Sequence, residues 1–121
     1  MSDAQHIADH YIAAWNETDA DRRRALVREG WTEDARYADP LASVSGGDHI
    51  CALIESVQAR FPGFRFALVG VPDGHGEHVR FSWTLGPAGV APPIEGSDVV
   101  VTRGGRIASV IGFLDRVPQA A

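Results

Sequence analysis

The sequence of 121 residues predicts an α+β fold in which three N-terminal helices pack in a curved, mostly antiparallel sheet. Apolar residues recur at helical spacing through most of residues 4–61, and the pattern becomes extended from residue 64 onward. A short stretch, residues 36–39, interrupts the helical part with the two-residue period of a strand. The length is ordinary for one hydrophobic core, so we expect a single domain over residues 1–121.

Each of the three helices has an apolar stripe or a boundary signal. The first, over about residues 4–17, carries the stripe Ile7, Tyr11, Ala14 and Trp15. Asp19 or Thr18 can cap a second helix that ends at Gly30. Asp48 is expected to cap the third helix. The stripe of the third helix is Ile50, Leu53, Ile54, Val57 and Phe61.

The C-terminal half predicts two hairpins. The four expected strands cover residues 64–71, 78–85, 95–102 and 106–114. Glycine-rich turns at 72–76 and 103–105 join the members of each pair. Residues 41–47, between the short first strand and the third helix, are expected to form a loop.

Charge and composition exclude several classes of partner. Sixteen acidic residues against eleven basic ones give a net charge of -5, which would repel nucleic acid and an anionic membrane surface on average. Cys51 is the only cysteine, so neither an intramolecular disulfide nor a metal site built on paired thiolates is possible. The histidines form no convincing metal set. No stretch has the length of a signal-peptide core or a membrane span, so we expect a cytoplasmic protein.

Asp39 is the first candidate catalytic residue. The ring of Pro40 keeps the preceding aspartate extended, and the period of a strand places Tyr37 on the same side as Asp39. A carboxylate aimed in this way could act as a base. The alternative is that Asp39 ends the strand and caps the following loop, as aspartate before proline often does.

Two further residues have both a functional and a structural interpretation. Tyr11 lies on the apolar stripe of the first helix, where a tyrosine is more often a core residue with a satisfied hydroxyl. Asp98 lies beside a run of three valines, where an acid needs a partner or a shifted pKa. A salt bridge of Asp98 with Arg80 or Arg36 is the structural alternative.

Several landmarks together resemble those of a known superfamily. They are Ala14-Trp15-Asn16, Tyr37-Ala38-Asp39-Pro40, Arg60-Phe61-Pro62-Gly63-Phe64, Gly96-Ser97-Asp98-Val99-Val100 and Gly105-Arg106-Ile107 through Gly112-Phe113-Leu114-Asp115. With the order of elements, they resemble the NTF2-like superfamily and its SnoaL-like cone fold over nearly the whole chain. That fold hosts isomerases, cyclases, hydrolases and binding modules, so the resemblance alone does not decide the activity.

The resemblance to ketosteroid isomerase implies three catalytic roles. Asp39 matches the aspartate before proline that moves the proton. Tyr11 and Asp98 match the tyrosine and the protonated acid that polarise the carbonyl. The tyrosines that support the catalytic tyrosine in that family are replaced here by Trp31 and Ile54, which points away from a steroid and toward a smaller or differently shaped substrate.

The cone fold also implies a cavity for a small apolar molecule. Phe81 and Trp83 alternate with Val79 along one strand, so we expect an aromatic face that lines the cavity or fills the core. Gly112 removes side-chain volume where a ligand could approach, or marks a bend. The full set of expected ligand-binding residues is Trp31, Tyr37, Ile54, Phe81, Trp83 and Gly112.

The other face of the sheet is expected to mediate dimerisation. Alternation places Val99 and Val101 opposite Asp98, so both faces of that strand are apolar, and the second face usually forms a dimer surface in this fold. We therefore expect a homodimer packed sheet to sheet.

Three functions follow as hypotheses. The first is an isomerase or cyclase that needs neither cofactor nor metal and acts on a small apolar carbonyl compound. The second is a homodimer that binds a small molecule without chemistry. The third is an epoxide hydrolase similar to limonene-epoxide hydrolase, for which Arg80 and Asp98 could supply two members of an Asp-Arg-Asp set, but Ser82 stands where the third acid would be.

Overall fold

A computed structural model describes residues 3–118 and contains three helices and six strands. The helices are α1 (Asp3–Asn16), α2 (Ala20–Gly30) and α3 (Gly47–Arg60). The strands are β1 (Trp31–Ala38), β2 (Ser43–Ser45), β3 (Phe64–His75), β4 (His78–Pro87), β5 (Ile94–Arg103) and β6 (Arg106–Arg116).

The six strands form one curved sheet in the order β2-β1-β6-β5-β4-β3. Every neighbouring pair is antiparallel except β1 and β6, which run parallel. Helix α1 packs on β3 and β4, whereas α2 and α3 pack on each other and on β1. The predicted α+β class, with three helices and a curved, mostly antiparallel sheet, is confirmed. None of the helices within residues 3–118 is long and apolar enough to cross a membrane.

Local signals placed the start of α2 correctly and the start of α3 incorrectly. The side chain of Asp19 caps α2 by accepting a 2.9 Å hydrogen bond from the backbone N–H of Asp21. Gly46, not Asp48, is the N-cap of α3, and it makes no side-chain cap bond. Its φ of 87° is readily adopted only by glycine, which explains why the helix begins there. Asp48 lies in the first turn, where its charge still complements the helix dipole.

Two segments that were expected to be irregular are strands. Residues 43–45 form β2 by pairing with the end of β1, a ladder too short to leave a pattern in the sequence. Strand β3 continues to His75, through most of the predicted turn at 72–76, because its pairing with β4 resumes after an irregularity between Val69 and Asp73. The tight turn lies instead at Gly76 and Glu77.

Aromatic side chains fill the space between α1 and the sheet. The ring of Tyr11 stacks on Trp31 with a centroid distance of 5.7 Å and meets the edge of Phe81 at 5.1 Å. Trp15 contacts both Tyr37 and Phe66. The rings of Tyr11, Trp15 and Phe66 also border a cavity on the inner face of the sheet.

Candidate functional site

A cavity of about 350 Å³ lies between α1, the C-terminal end of α3 and the inner face of the sheet. Most of its wall is apolar: Ile12, Trp15, Val57, Phe61, Phe66, Trp83, Leu85, Ile94 and Leu114. Its polar side chains are Tyr11, Tyr37, Asp39, Arg60 and Asp98. Leu41, Phe113 and Val117 also line it while remaining largely exposed to solvent, so they mark its rim. The size is at the small end of the range for ligand pockets.

Asp39 follows β1 and is held by three donors. The hydroxyl of Tyr37 donates to Oδ2 at 2.6 Å, and the backbone N–H groups of Leu41 and Ala42 donate to Oδ1 at 2.8 and 2.9 Å. Pro40 keeps the backbone of Asp39 extended. The loop that follows supplies two of the three donors, the backbone N–H groups of Leu41 and Ala42. The carboxylate is half-buried and directed into the cavity wall.

Asp98 is the most buried acid of the site, with 1% of its surface exposed. Its Oδ2 accepts a 3.1 Å hydrogen bond from the indole N–H of Trp83, while Oδ1 has no partner among the described residues. Burial raises the pKa of Asp98 to about 7, and the nearby Tyr11 hydroxyl and Trp83 indole limit this rise. The negative charge of Asp39 adds to the upward shift. A protonated Asp98 would be a hydrogen-bond donor at neutral pH.

Gly112 separates the two aspartates. It pairs with Asp98 across β5 and β6, and a methyl group added to it would lie 2.5 Å from Asp98 Oδ1 and 3.4 Å from the Cβ of Asp39. Gly96 has a similar role on β5, because an added methyl group would lie 2.2 Å from the ring of Trp83. The two glycines thus leave room for the side chains that make up the polar end of the cavity.

Two tyrosines complete this polar end. Burial raises the pKa of the Tyr11 hydroxyl well above its usual value, and the charge of Asp98 and the hydroxyl of Tyr37 raise it further. Burial and the hydrogen bond to Asp39 likewise raise the pKa of Tyr37. Both phenols therefore stay protonated at physiological pH and act as donors. The indole ring of Trp31 stacks on the ring of Tyr11 and helps to fix its position.

The structure brings together six of the nine predicted site residues. Tyr11, Tyr37, Asp39, Trp83, Asp98 and Gly112 all line the cavity. Trp31, Ile54 and Phe81 do not line it: they lie in the core with exposed fractions of 1%, 0% and 4%. Trp31 and Phe81 pack against the ring of Tyr11, so they support the site without facing the cavity.

Tyr11 and Asp98 have neighbours other than those that the sequence suggested. Trp31 and Ile54 stand where the supporting tyrosines would be, but Tyr37, near the end of β1, contributes to the raised pKa of the Tyr11 hydroxyl. Arg80 was a candidate partner of Asp98, but it is exposed and pairs with Asp73 at 3.1 Å. Asp98 makes no salt bridge with a described residue, and the Asp-Arg-Asp arrangement of an epoxide hydrolase is not assembled here.

Sequence reasoning missed Arg60 and Phe61, which line the cavity from the end of α3. A signal was present, because Val57 and Phe61 are one turn apart on the apolar stripe and Arg60 is adjacent to it. Within residues 3–118, no three His, Cys, Asp or Glu side chains are grouped so that they could hold a metal ion.

Comparison with known proteins gave one family match and many structural ones. A family model described as the SnoaL-like domain matches residues 8–110. No functionally curated protein matches the chain. A proposed isomerase of the SnoaL-like family from Agrobacterium tumefaciens is 48% identical, with a TM-score of 0.91, over 95% of this chain and 99% of that one.

Two more distant structures share the fold alone. A proposed ketosteroid isomerase from Kribbella flavida is 16% identical, with a TM-score of 0.72, over 98% of this chain and 82% of that one. A proposed SnoaL-like polyketide cyclase from Jannaschia sp. is 17% identical, with a TM-score of 0.69, over 90% of this chain and 85% of that one.

Proposed function

This chain belongs to the SnoaL-like domain family, and we propose that it is an isomerase or cyclase that moves a proton on a small apolar carbonyl compound without a cofactor. The observation that carries the proposal is the pair of carboxyls, Asp39 and Asp98, on either side of Gly112 in an apolar cavity. The 48% identical relative is itself described as a proposed isomerase, which supports this reaction class.

The two carboxyls have different surroundings, which suits them to different roles. Asp39 keeps a fixed direction through its three donors and remains in contact with the cavity. Asp98 is buried, and its raised pKa of about 7 keeps a large share of it protonated at neutral pH. Pairs of acids with separated protonation states are typical of proton-transfer sites. Asp39 is therefore the base, and Asp98 is the acid that donates a hydrogen bond.

In the proposed reaction, the ligand's carbonyl oxygen lies against Tyr11 and protonated Asp98. Asp39 removes a proton from the carbon next to the carbonyl, and the electron pair of that C–H bond moves to form an enolate. Both donors become stronger partners as charge develops on the oxygen, which is where such donors accelerate a reaction. In an isomerase, Asp39 then returns the proton to another carbon. In a cyclase, the enolate carbon attacks a second carbonyl of the same molecule, the π electrons of that carbonyl move to its oxygen, and this oxygen takes up the proton that Asp39 removed.

The test uses neutral β,γ-unsaturated ketones of increasing size, whose conversion to conjugated enones is followed by ultraviolet absorbance. Asp39→Asn should reduce kcat by at least about a hundredfold, because general-base catalysis contributes roughly that much or more. Asp73→Asn is the matched control, since Asp73 is an exposed acid that pairs with Arg80 away from the cavity. Undiminished turnover in folded Asp39→Asn protein would reject Asp39 as the base.

A homodimer that binds a small molecule without chemistry is the second candidate function. It is favoured by the turn that Asp39 makes with the backbone of Leu41 and Ala42, because a carboxylate used in this way also has a structural role. In that case no ketone of the panel would be converted, and Asp39→Asn would change ligand affinity and stability instead. Asp39 has no arginine partner among the described residues, which favours the catalytic role.

A further inference from the structure

Among the described residues that line the cavity, Arg60 is the only basic one. We propose that Arg60 binds a carboxylate of the ligand at the rim, so that the substrate is an apolar oxo acid with its carbonyl at the inner end of the cavity. This inference rests on the proposed function, because it takes Asp39 and Asp98 as the reacting end. It narrows the substrate from any apolar carbonyl compound to one with a carboxylate at its far end.

The position of Arg60 follows from the end of α3. It is the last residue of that helix and is exposed, while Phe61, directly after it, is half-buried in the cavity wall. The guanidinium carbon lies 5.7 Å from the centre of the Phe61 ring, a distance at which the ring face attracts the cation. The guanidinium is thus kept beside the cavity wall instead of extending freely into water.

The donors of Arg60 are available to a ligand. No carboxylate within residues 3–118 lies within ion-pair distance of Arg60, whereas Arg80, Arg103 and Arg116 each have an acidic partner. The hydrogen bonds of the described residues also leave the Arg60 guanidinium unused. A planar guanidinium can bind both oxygens of a carboxylate at once, which gives direction as well as affinity.

The charges of the cavity favour one orientation and one type of anion. The negative charge of Asp39 repels a carboxylate, so an acid binds with its apolar or carbonyl end toward the two aspartates. Between the two polar ends the wall is apolar, with Val57, Phe61 and Leu85 among its residues. A single cation suits a single negative charge, and a phosphate, with more charge to neutralise, would lack further basic partners in this wall.

The test compares decanoate with decanamide, which has the same chain length but no charge. Trp15 and Trp83 line the cavity, so tryptophan fluorescence reports binding of either probe without turnover. The protein should bind decanoate about fivefold or more tightly than decanamide, as expected for a charged hydrogen bond at a partly exposed site. Arg60→Gln should abolish this preference and leave the Kd of decanamide unchanged, and Arg60→Lys should retain part of it.

The matched control is Arg22→Gln, which removes the same charge from a side chain that is 77% exposed on α2, outside the cavity. It should keep the preference for decanoate. The proposal is overturned if the unaltered protein does not bind decanoate, if Arg60→Gln retains the preference, or if Arg22→Gln loses it equally. If Arg60 only complemented the dipole at the end of α3, Arg60→Gln would retain the preference for decanoate.

This binding test and the turnover test can fail independently. If Arg60→Gln loses the preference while Asp39→Asn keeps full turnover, the carboxylate site stands and the role of Asp39 as base fails. If Asp39→Asn is inactive and Arg60→Gln retains the preference, proton transfer stands and the substrate needs no carboxylate.

Discussion

The phenolic hydroxyl of Tyr37 donates a 2.6 Å hydrogen bond to Oδ2 of Asp39, two residues along the chain. The two side chains point the same way because alternate residues of an extended segment share a face. The bond is partly buried and its acceptor is a carboxylate, a combination that makes short and strong hydrogen bonds. Tyr37 therefore helps to set the direction of the proposed base.

Tyr37→Phe should lower the free energy of unfolding by roughly 1–2 kcal/mol at neutral pH, because it removes a hydrogen bond to a charged group and leaves the ring in place. Urea unfolding followed by circular dichroism measures the change. In an Asp39→Asn background the same substitution should cost much less, since the acceptor is no longer charged. Equal costs in the two backgrounds would mean that the Tyr37–Asp39 bond does not stabilise the fold.

Stability should depend on pH through Asp98. Its pKa is about 7 in the folded protein and lies near 3.8 when exposed, so the folded state binds the proton more tightly. The stabilisation from this proton is complete below about pH 4 and is lost as pH rises toward and through 7. Asp98→Asn, which stays neutral, should therefore gain stability relative to the unaltered protein over this range, by up to about 4 kcal/mol.

The measurement is urea unfolding of both proteins at several pH values between 4 and 8. The difference between the two proteins isolates Asp98 from the other groups that titrate in this range. A difference that stays constant with pH would show that Asp98 has an ordinary pKa in the folded state. If Asp98 acts as the proposed donor, kcat/KM should also fall as pH rises through about 7, and this fall should disappear in Asp98→Asn.

Gly112→Ala should disturb both carboxyls of the site. The added methyl group would lie 2.5 Å from Asp98 Oδ1, so the aspartate or the strand must move. We expect the free energy of unfolding to fall by roughly 1–3 kcal/mol, as for other overpacked sites, together with a loss of ligand affinity.

Gly47→Ala is the control for this substitution. Its methyl group would meet only Val27 Cγ1, at an ordinary contact distance of 3.7 Å, and it lies at the start of α3. It should be neutral or slightly stabilising, because alanine favours a helix more than glycine does. A Gly112→Ala protein as stable as the control would mean that the polar end of the cavity accommodates the added methyl group.

The outer face of the sheet leads us to expect a homodimer. Val99 and Ile111 are directly paired across β5 and β6, and they are exposed at 36% and 53%. Adjacent apolar side chains of this size on a sheet face are typical of a protein interface. Light scattering during gel filtration should give the mass of a dimer, and the double substitution Val99→Lys with Ile111→Lys should give a monomer.

Val90→Lys tests whether any apolar-to-lysine change has this effect. Val90 is 60% exposed but lies in the connection between β4 and β5, outside the paired strands of the sheet. The Val90→Lys protein should remain dimeric. A protein that is monomeric before any substitution, at tens of micromolar concentration, would contradict the expected assembly.

The sequence by itself determined the features that depend on local pattern. The stripe of α1, a cap of α2 at Thr18 or Asp19, and the shared direction of Tyr37 and Asp39 follow from periodicity, capping preference and the restriction that Pro40 imposes. The landmark segments, together with the order of helical and extended patterns, also determined the fold class. Residues 72–76 were misjudged because pairing with β4 outweighed local turn signals.

Only the tertiary structure decided which inward residues form the site. Asp39 and Asp98 are distant in sequence and meet through the parallel pairing of β1 with β6 and the register that places Asp98 opposite Gly112. The same alternation sends Phe81 and Trp83 inward, yet Phe81 packs against Tyr11 in the core whereas Trp83 lines the cavity. Periodicity specifies the face of the sheet on which a side chain lies. Whether that side chain ends in the core or on the cavity wall depends on the elements that pack against this face.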